Sequence, residues 1–460
     1  VSLWGTNNCD HQARICHSTT VAGVAQTWGY GAMTNSYNDE QNSKSLFFLG
    51  SNAAEAHPVS MLHTLHAKEN GCKVIVADPR YTRTAAKADI YVRFRSGTDV
   101  PLIFGILHHI FKNGWEDKEY IRQRVHGMDQ VREEVMKKWT PDKVTEATGC
   151  TEAEILNVAK TLAENRPGFI IWAMGQTQHS NGNAVVRASN ILMLALGNVD
   201  GVGGGCNIYR GHDNVQGATD VGPNPDSLPG YYGILPPAWA HWTRVWNVDP
   251  KWVAERFRPG MQTKPGMTVS RWIDGVLEKN EAIDQDPNLK ALIYWGHAPN
   301  SQTRGPEMLE AMKKLDLMVV IDPYPSASAA MFAMVRKDGA YLLPAATQLE
   351  CEGSATASNR SIQWREKVID PVFESRTDHM IMYQLAQKLG FADQLLGKKD
   401  AKQNIKLVKG KGGMEEPSME DTLREINRGT LTIGYSGQTP ERLQAHMRNM
   451  HVFDVKTLRA

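Results

Sequence analysis

Leu46-Phe-Phe-Leu-Gly-Ser-Asn52, followed after a helical stretch by Val74-Ile-Val-Ala-Asp-Pro79, has a second copy in Leu292-Ile-Tyr-Trp-Gly-His-Ala298 and Val319-Val-Ile-Asp-Pro323. Gly50 and Asp78 stand 28 positions apart, and Gly296 and Asp322 stand 26 apart. Each copy reads as a buried strand ending at glycine, a crossover helix, and a second strand ending at Asp-Pro. Glycine at the carboxyl end of a strand lets backbone amides approach a phosphate. A carboxylate closing the next strand can accept from a ribose diol or from guanine N–H groups. The pair therefore points to two nucleotide-like ligands, or to one ligand with two such ends. The plainer reading, that Gly and Asp-Pro only punctuate a doubly wound sheet, suits one copy better than two.

Outward from these copies the chain keeps alternating. Further apolar and periodic runs predict a strand over 168–174 and helices over 57–70, 99–112, 184–196, 306–315 and 378–389. Alternating strands and helices imply an α/β fold: two related, doubly wound, mostly parallel sheets, each covered on both faces. We expect a first domain over 1–170, discontinuous and rejoined by part of 340–460, a second over 171–340, and a remainder over 341–460. The Pro-, Gly- and Trp-rich stretch 223–267 reads as irregular loops, and the Lys/Gly cluster within 396–416 as a solvated surface excursion.

The 460 residues leave ample length for a core, and 51 Lys+Arg against 50 Asp+Glu leave a net charge of +1. No global field draws such a chain onto nucleic acid or an anionic bilayer, and no apolar run approaches the roughly 20 residues of a membrane helix. A soluble protein without nucleic-acid or membrane partners is expected. The six cysteines include no Cys-x-x-Cys pair, which argues against a zinc ribbon, a local iron–sulfur loop or a disulfide scaffold. Val1-Ser-Leu-Trp-Gly has no charged or apolar leader pattern and no Met, and reads as an internal start.

Two segments concentrate chemistry. Asn8-Cys-Asp-His-Gln-Ala-Arg-Ile-Cys-His17 crowds two thiols and two imidazoles ahead of a small-residue stretch able to open a helix. Cys16 followed by His17 suits a metal-bound thiolate or an activated nucleophile, and composition leaves both open, besides a structural role. Cys9 reads as a small buried side chain. Gly203-Gly-Gly-Cys-Asn-Ile-Tyr-Arg210-Gly-His-Asp-Asn-Val-Gln-Gly217 combines pliant backbone with one arginine, suited to clamping a planar anion through two parallel hydrogen bonds, or to a structural ion pair.

Asp10-His-Gln-Ala-Arg-Ile-Cys-His17, Gly31-Ala-Met-Thr-Asn35, Gly50-Ser-Asn-Ala-Ala-Glu-Ala-His-Pro58, Asp78-Pro-Arg-Tyr-Thr-Arg-Thr-Ala85, Arg95-Ser-Gly-Thr-Asp99 and Arg210-Gly-His-Asp-Asn-Val-Gln-Gly217 occur in that order. Together they resemble the catalytic (alpha) subunit of molybdenum- or tungsten-dependent formate dehydrogenases. Tyr341-Leu-Leu-Pro and Thr356-Ala-Ser-Asn-Arg-Ser-Ile-Gln-Trp-Arg-Glu366 are similar to the cytoplasmic NAD-dependent type. The resemblance implies the fold of the dimethyl sulfoxide reductase-like molybdopterin oxidoreductases and reversible oxidation of formate to carbon dioxide. It also implies a bis(molybdopterin guanine dinucleotide) cofactor with Mo or W, iron–sulfur and flavin partner subunits that reduce NAD, and a cytoplasmic location. By the same resemblance Cys16 is the metal ligand, His17 its neighbour in catalysis, and Arg210 the substrate-carboxylate binder. Gly50, Asn52, Glu55, Asp78, Arg80, Gly97 and Asp99 would serve one half of the cofactor, in the first domain with the metal-ligand loop. Met174, Gly175, Gln178, Gly211, His212, Gly296 and Asp322 would serve the other half, in the second domain with Arg210. The family's [4Fe–4S] segment and its C-terminal domain are not visible between Val1 and Leu458-Arg-Ala460, so the chain reads as a central piece. Alternatives are another molybdopterin oxidoreductase such as a nitrate reductase, a metal-free assembly module, and a nicotinamide dehydrogenase, the last weakened because no Gly-x-Gly-x-x-Gly follows a strand.

Overall fold

In a computed structural model of the chain, which describes residues 1–278, 283, 288–297, 304–400 and 402–448, the run Ser-Leu-Phe-Phe-Leu forms strand β1 (Ser45–Leu49) at the centre of a parallel sheet. Helix α1 (Ala13–Trp28) precedes it. Then come α2 (Ala53–Ala56), α3 (Pro58–Glu69), β2 (Lys73–Ala77), β3 (Ile90–Val92) and α4 (Asp99–Asn113). Four helices, α5 (Lys118–Arg124), α6 (Met128–Lys138), α7 (Pro141–Thr148) and α8 (Glu152–Glu164), lead to β4 (Gly168–Trp172). The sheet is completed through α9 (Met174–Thr177), α10 (Gly182–Ala195) and β5 (Gly205–Ile208). Strand order is β3-β2-β1-β4-β5. The chain thus winds outward from β1, returns, and winds outward on the other side, leaving its switch point between β1 and β4, where open α/β sheets form a crevice at their carboxyl ends.

Alternate residues of these strands enter opposite layers. Phe47, Leu49, Ile75, Ile170 and Trp172 pack with Ile103, Ile106 and Leu107 of α4 and with Leu192 of α10. Leu46, Phe48, Val74, Val76, Phe169 and Ile171 pack with Met61 of α3 and with Tyr209. Burial on both faces is why Leu46–Leu49, Val74–Ala77 and Phe169–Trp172 are unbroken apolar runs. Helix boundaries follow local chemistry: α4 stops at Gly114 in the left-handed region, φ 65°, and α8 starts at a reciprocal Thr151–Glu154 capping box.

The chain divides into two units. One holds this sheet and takes Cys16–Gln216 with Thr356–Ser361; the other takes Val1–Ile15, Gly217–Ala355 and Ile362–Arg448. The boundary expected between 170 and 171 therefore falls inside β4, which pairs with β1 from Ser45↔Gly168 to Leu49↔Trp172. Periodicity announces a strand but not its neighbour, and here 168–174 fills the open edge of the first sheet instead of founding a second.

The other unit contains a short hairpin, β6 (Ser227–Leu228) and β7 (Tyr232–Gly233), and the parallel strands β8 (Ala291–Trp295), β9 (Leu317–Asp322) and β10 (Ala340–Pro344) in the order β10-β9-β8. That repeats the order of β3-β2-β1. The repetition reaches the turns: Gly50 and Gly296 follow their strands at φ 66° and 56°. The amide of Arg80 donates to Asp78 Oδ1 at 2.8 Å, as that of Tyr324 does to Asp322 Oδ1 at 3.1 Å. Ala298, the end of the second quoted run, lies outside the described residues, as does 458–460.

One expectation fails in this unit. Stretch 223–267 holds helices Pro236–Val245 and Pro250–Arg256, each with proline in the first turn, where a missing N–H is harmless. Trp239 and Trp242 are buried there beside Phe257. The Lys/Gly-rich excursion keeps Lys398, Lys399, Lys402, Lys406 and Lys409 exposed, as expected, and folds back through antiparallel strands Leu407–Lys409 and Glu415–Pro417, with Glu416 turned inward to accept from Thr377 Oγ1 at 2.6 Å. Among the described residues no helix is long and apolar enough to cross a membrane, and all six cysteines are unpaired thiols.

Candidate functional site

Cys16 ends the first turn of α1, because His17 leaves helical geometry at φ −143°, ψ 26°. Beyond that break α1 is fastened to the end of β4 and to α9: Trp172 Nε1 donates to Thr20 Oγ1 at 3.2 Å, and Thr19 Oγ1 donates to Thr177 O at 2.6 Å. The fastening sets Cys16 Sγ 3.4 Å from Met174 Sδ and brings Gln178 Nε2 to 3.5 Å from Cys16 O. Burial pushes the Cys16 thiol above its ordinary value, while a hydrogen bond from the Gly211 backbone and the charge of Arg210 pull it back down. Both favour thiolate, the form that binds metal. His17 is fully buried.

Arg210 follows β5 and is 2% exposed. Its guanidinium donates to Gln216 Oε1 and, at 2.5 Å, to Gly31 O. Its backbone carbonyl accepts from His57 Nε2 at 2.7 Å and from Ser358 Oγ at 3.3 Å. Burial lowers the His57 pKa, and this bond opposes the shift. Thr356 N donates to Asn214 Oδ1 at 3.0 Å, so the returning segment 356–361 braces the loop from both ends. Arg210 thus belongs to the unit that holds Cys16, not to a second domain.

The remaining candidates line the carboxyl edge of the same sheet, with two exceptions. At the switch point Gly175 N donates to Gly50 O at 3.1 Å. A Cβ on Gly50 would stand 2.6 Å from Gln176 N, and one on Gly175 would stand 2.7 Å from Gly50 O. Asn52 Oδ1 accepts from Thr84 Oγ1 at 3.0 Å, and exposed Glu55 faces Arg83 at 3.4 Å. Asp78 is half-buried, whereas Arg80, Gly97, Gln178, Gly211 and His212 are exposed. His212 Nδ1 lies 2.6 Å from Asp213 O. Burial raises the Asp99 carboxyl, its own backbone amide and the His179 ring oppose this, and Asp78 reinforces it. Met174, Gly175, Gln178, Gly211 and His212 therefore share a unit with Gly50 and Asp78, while Gly296 and Asp322 lie in the other unit. Gly31, His57, His179, Gln216 and Ser358 were not singled out from sequence. All but His179 sit inside quoted motifs, so the signal was there without a role attached.

A family profile described as Molybdopterin oxidoreductase matches residues 3–388. The chain belongs to the molybdopterin oxidoreductase family. It is 32% identical over 440 residues to the F420-dependent formate dehydrogenase subunit alpha of Methanocaldococcus jannaschii, covering 95% of this chain and 58% of that one. It is 31% identical over 389 residues to formate dehydrogenase H of Escherichia coli, covering 84% and 51%. Acetylene hydratase from Pelobacter acetylenicus superposes with a TM-score of 0.68 at 21% identity, covering 96% of this chain and 56% of that one, a likeness of fold. The chain spans about half the length of the curated relatives it matches.

Membership in the molybdopterin oxidoreductase family implies a molybdopterin-type cofactor carrying Mo or W, and the residues present fit one. Ser51 Oγ and Asp99 Oδ2 are buried at the sheet edge without a hydrogen-bond partner, a costly state that a polar ligand would relieve. Among the described residues, chain neighbours aside, no atom lies within 4 Å of where a Cβ would stand on Gly97 or Gly211, so the backbone there is open to close approach. Among the described residues no group of three or more His, Cys, Asp or Glu could hold an ion. A metal at Cys16 would take its other donors from outside the side chains, as a sulfur-bearing pterin provides.

Proposed function

We propose that the chain is the catalytic core of a formate dehydrogenase alpha subunit, which oxidises formate reversibly to carbon dioxide at a bis(molybdopterin guanine dinucleotide) centre of Mo or W. Electrons would pass to iron–sulfur and flavin partners and on to NAD, in the cytoplasm. What carries the reading is the pairing of Cys16 with Arg210: one sulfur that accepts from the residue after the arginine and feels its charge. The relatives named as formate dehydrogenases support the substrate.

When bound, the metal–pterin group would supply a two-electron couple. Cys16 would hold it as a thiolate, aided by the Gly211 amide. Arg210, never deprotonated in a protein, would take the planar carboxylate of formate through its fork, its own plane fixed by Gln216 and Gly31. His17, next in the chain and shielded from water, would hold or pass the proton released on oxidation. Carbon dioxide leaves readily because it is neutral and linear and cannot keep two charge-assisted hydrogen bonds. Gly50, Asn52, Glu55, Asp78, Arg80, Gly97, Asp99, Met174, Gly175, Gln178, Gly211 and His212 would contact the cofactor, as would Gly296 and Asp322.

Arg210→Lys in the assembled enzyme tests this. Loss of one charge-assisted bond should raise the formate KM on the order of ten- to a hundredfold. An unchanged KM, or nitrate reduction without formate-dependent dye reduction, would overturn the reading.

A further inference from the structure

Glu40 is fully buried, although it sits in the polar run Tyr37-Asn-Asp-Glu-Gln-Asn42. Its carboxyl accepts from Asn207 Nδ2 at 2.8 Å and from the Tyr209 hydroxyl at 2.7 Å. Tyr209 is the residue before Arg210. Its ring meets Tyr37 edge-on, with centroids 4.9 Å apart at 88°, and lies 5.0 Å from the ring of His57, which holds the Arg210 carbonyl. The Tyr37 hydroxyl bonds to Ser358, the other residue on that carbonyl, and lies within electrostatic reach of both Glu40 and Arg210. The wall behind the guanidinium is therefore built around one carboxyl group.

We propose that Glu40 is a positioning residue for Arg210, and that its charge state sets how strongly the guanidinium holds a carboxylate substrate. The proposal rests on the formate reading. A neutral Glu40 leaves the arginine's charge to the substrate. An ionised Glu40, in a buried wall of low effective dielectric, competes for it. Burial pushes the Glu40 carboxyl up to about 8, against the hydrogen bonds from Tyr209 and Asn207 and with Asp39 adding to the rise; Thr64 of α3 also opposes it. The neutral form therefore prevails below that pH and the anion above it. Of the groups facing Glu40, Tyr37 from its own turn, Tyr209 after β5 and Cys72 before β2 are all held protonated across this range by burial. Asp39 is engaged by Asn35, Asn42 and the Gly203 amide. His63 of α3 bonds Gln41 and is kept neutral by burial.

The test is the formate KM of the cofactor-loaded enzyme from pH 6.5 to 9.5, together with acid–base difference infrared spectra of the buried carboxyl carbonyl band. In the parent enzyme KM should rise roughly fivefold or more above pH about 8, with kcat changing less, and the band should disappear over the same interval. Glu40→Gln keeps the acceptor oxygen and should flatten the KM profile and abolish the band change. Tyr209→Phe removes a bond that favours the anion and should move both to higher pH. Glu40→Gln with the parental KM limb overturns the proposal, provided Arg210→Lys still raises KM. If Arg210→Lys leaves KM unchanged, the formate reading has failed and this proposal with it.

Discussion

The Cys16 sulfur sits at a helix break, half-buried; burial raises its thiol above the ordinary value, and an amide and a guanidinium oppose that rise. Alanine is the best helix former and leaves little apolar packing to lose there. Cys16→Ala should therefore keep the thermal stability of the chain within about 0.5 kcal/mol, while metal content by elemental analysis falls to background and formate turnover is lost. Full metal occupancy in that variant would remove the thiolate from its assigned part. At this scale the sequence marks Cys16, His17 and Arg210 as candidates, through a thiol beside an imidazole and an arginine after a Gly-rich run, while their roles come from the resemblance and await the tests above. Glu40 it leaves unmarked. A carboxylate in a run of Asn, Asp and Gln looks like solvated surface, and the groups that turn it inward include Asn207 and Tyr209, some 170 residues away.

Helix α4 carries adjacent buried imidazoles, His108 and His109, 6% and 3% exposed, with rings 5.6 Å apart. Burial is the leading cause that holds both below the ordinary histidine value, with Lys112 next for His108 and His108 next for His109. Their folded pKa lies under the unfolded value near 6.5, so the neutral form gives its full stability above that pH and loses it as pH falls further. Melting temperature should therefore drop between pH 7 and pH 5, and the drop should be shallower in His108→Gln/His109→Gln. An equal slope in that variant would exclude the pair as its source. Elements were legible in part: apolar runs marked β1, β2, β4, β8 and β9, and α4 and α10 matched their expected spans to within two residues, whereas buried β5, with glycine and asparagine in its four residues, read as pliant backbone. Stretch 223–267 was misread because prolines that break a helix interior also start one.

At the scale of the molecule, the strand order and the aspartate turn are repeated, and on the proposed function Asp78 and Asp322 would each receive a guanine-bearing ligand end. Acid release from the loaded enzyme should yield two guanine nucleotides per chain. Asp322→Ala or Asp78→Ala should lower that ratio, because each removes a carboxylate from a different unit. A parental ratio of one would contradict the double site. The duplication was legible from two matched runs, whereas the division between units was not, because strand neighbours are chosen by long-range pairing that leaves no period in the sequence.

The contact between Gly50 and Gly175 constrains how the protein can change. Each residue stands where the other's side chain would have to go, so neither can be exchanged first and then accommodated by the second. Mutational drift through the chain must pass around this crossing, which leaves the loops on either side to diversify while the two positions stay fixed. New specificities in this scaffold would accordingly arise in the flanking loops, with the crossing inherited unchanged.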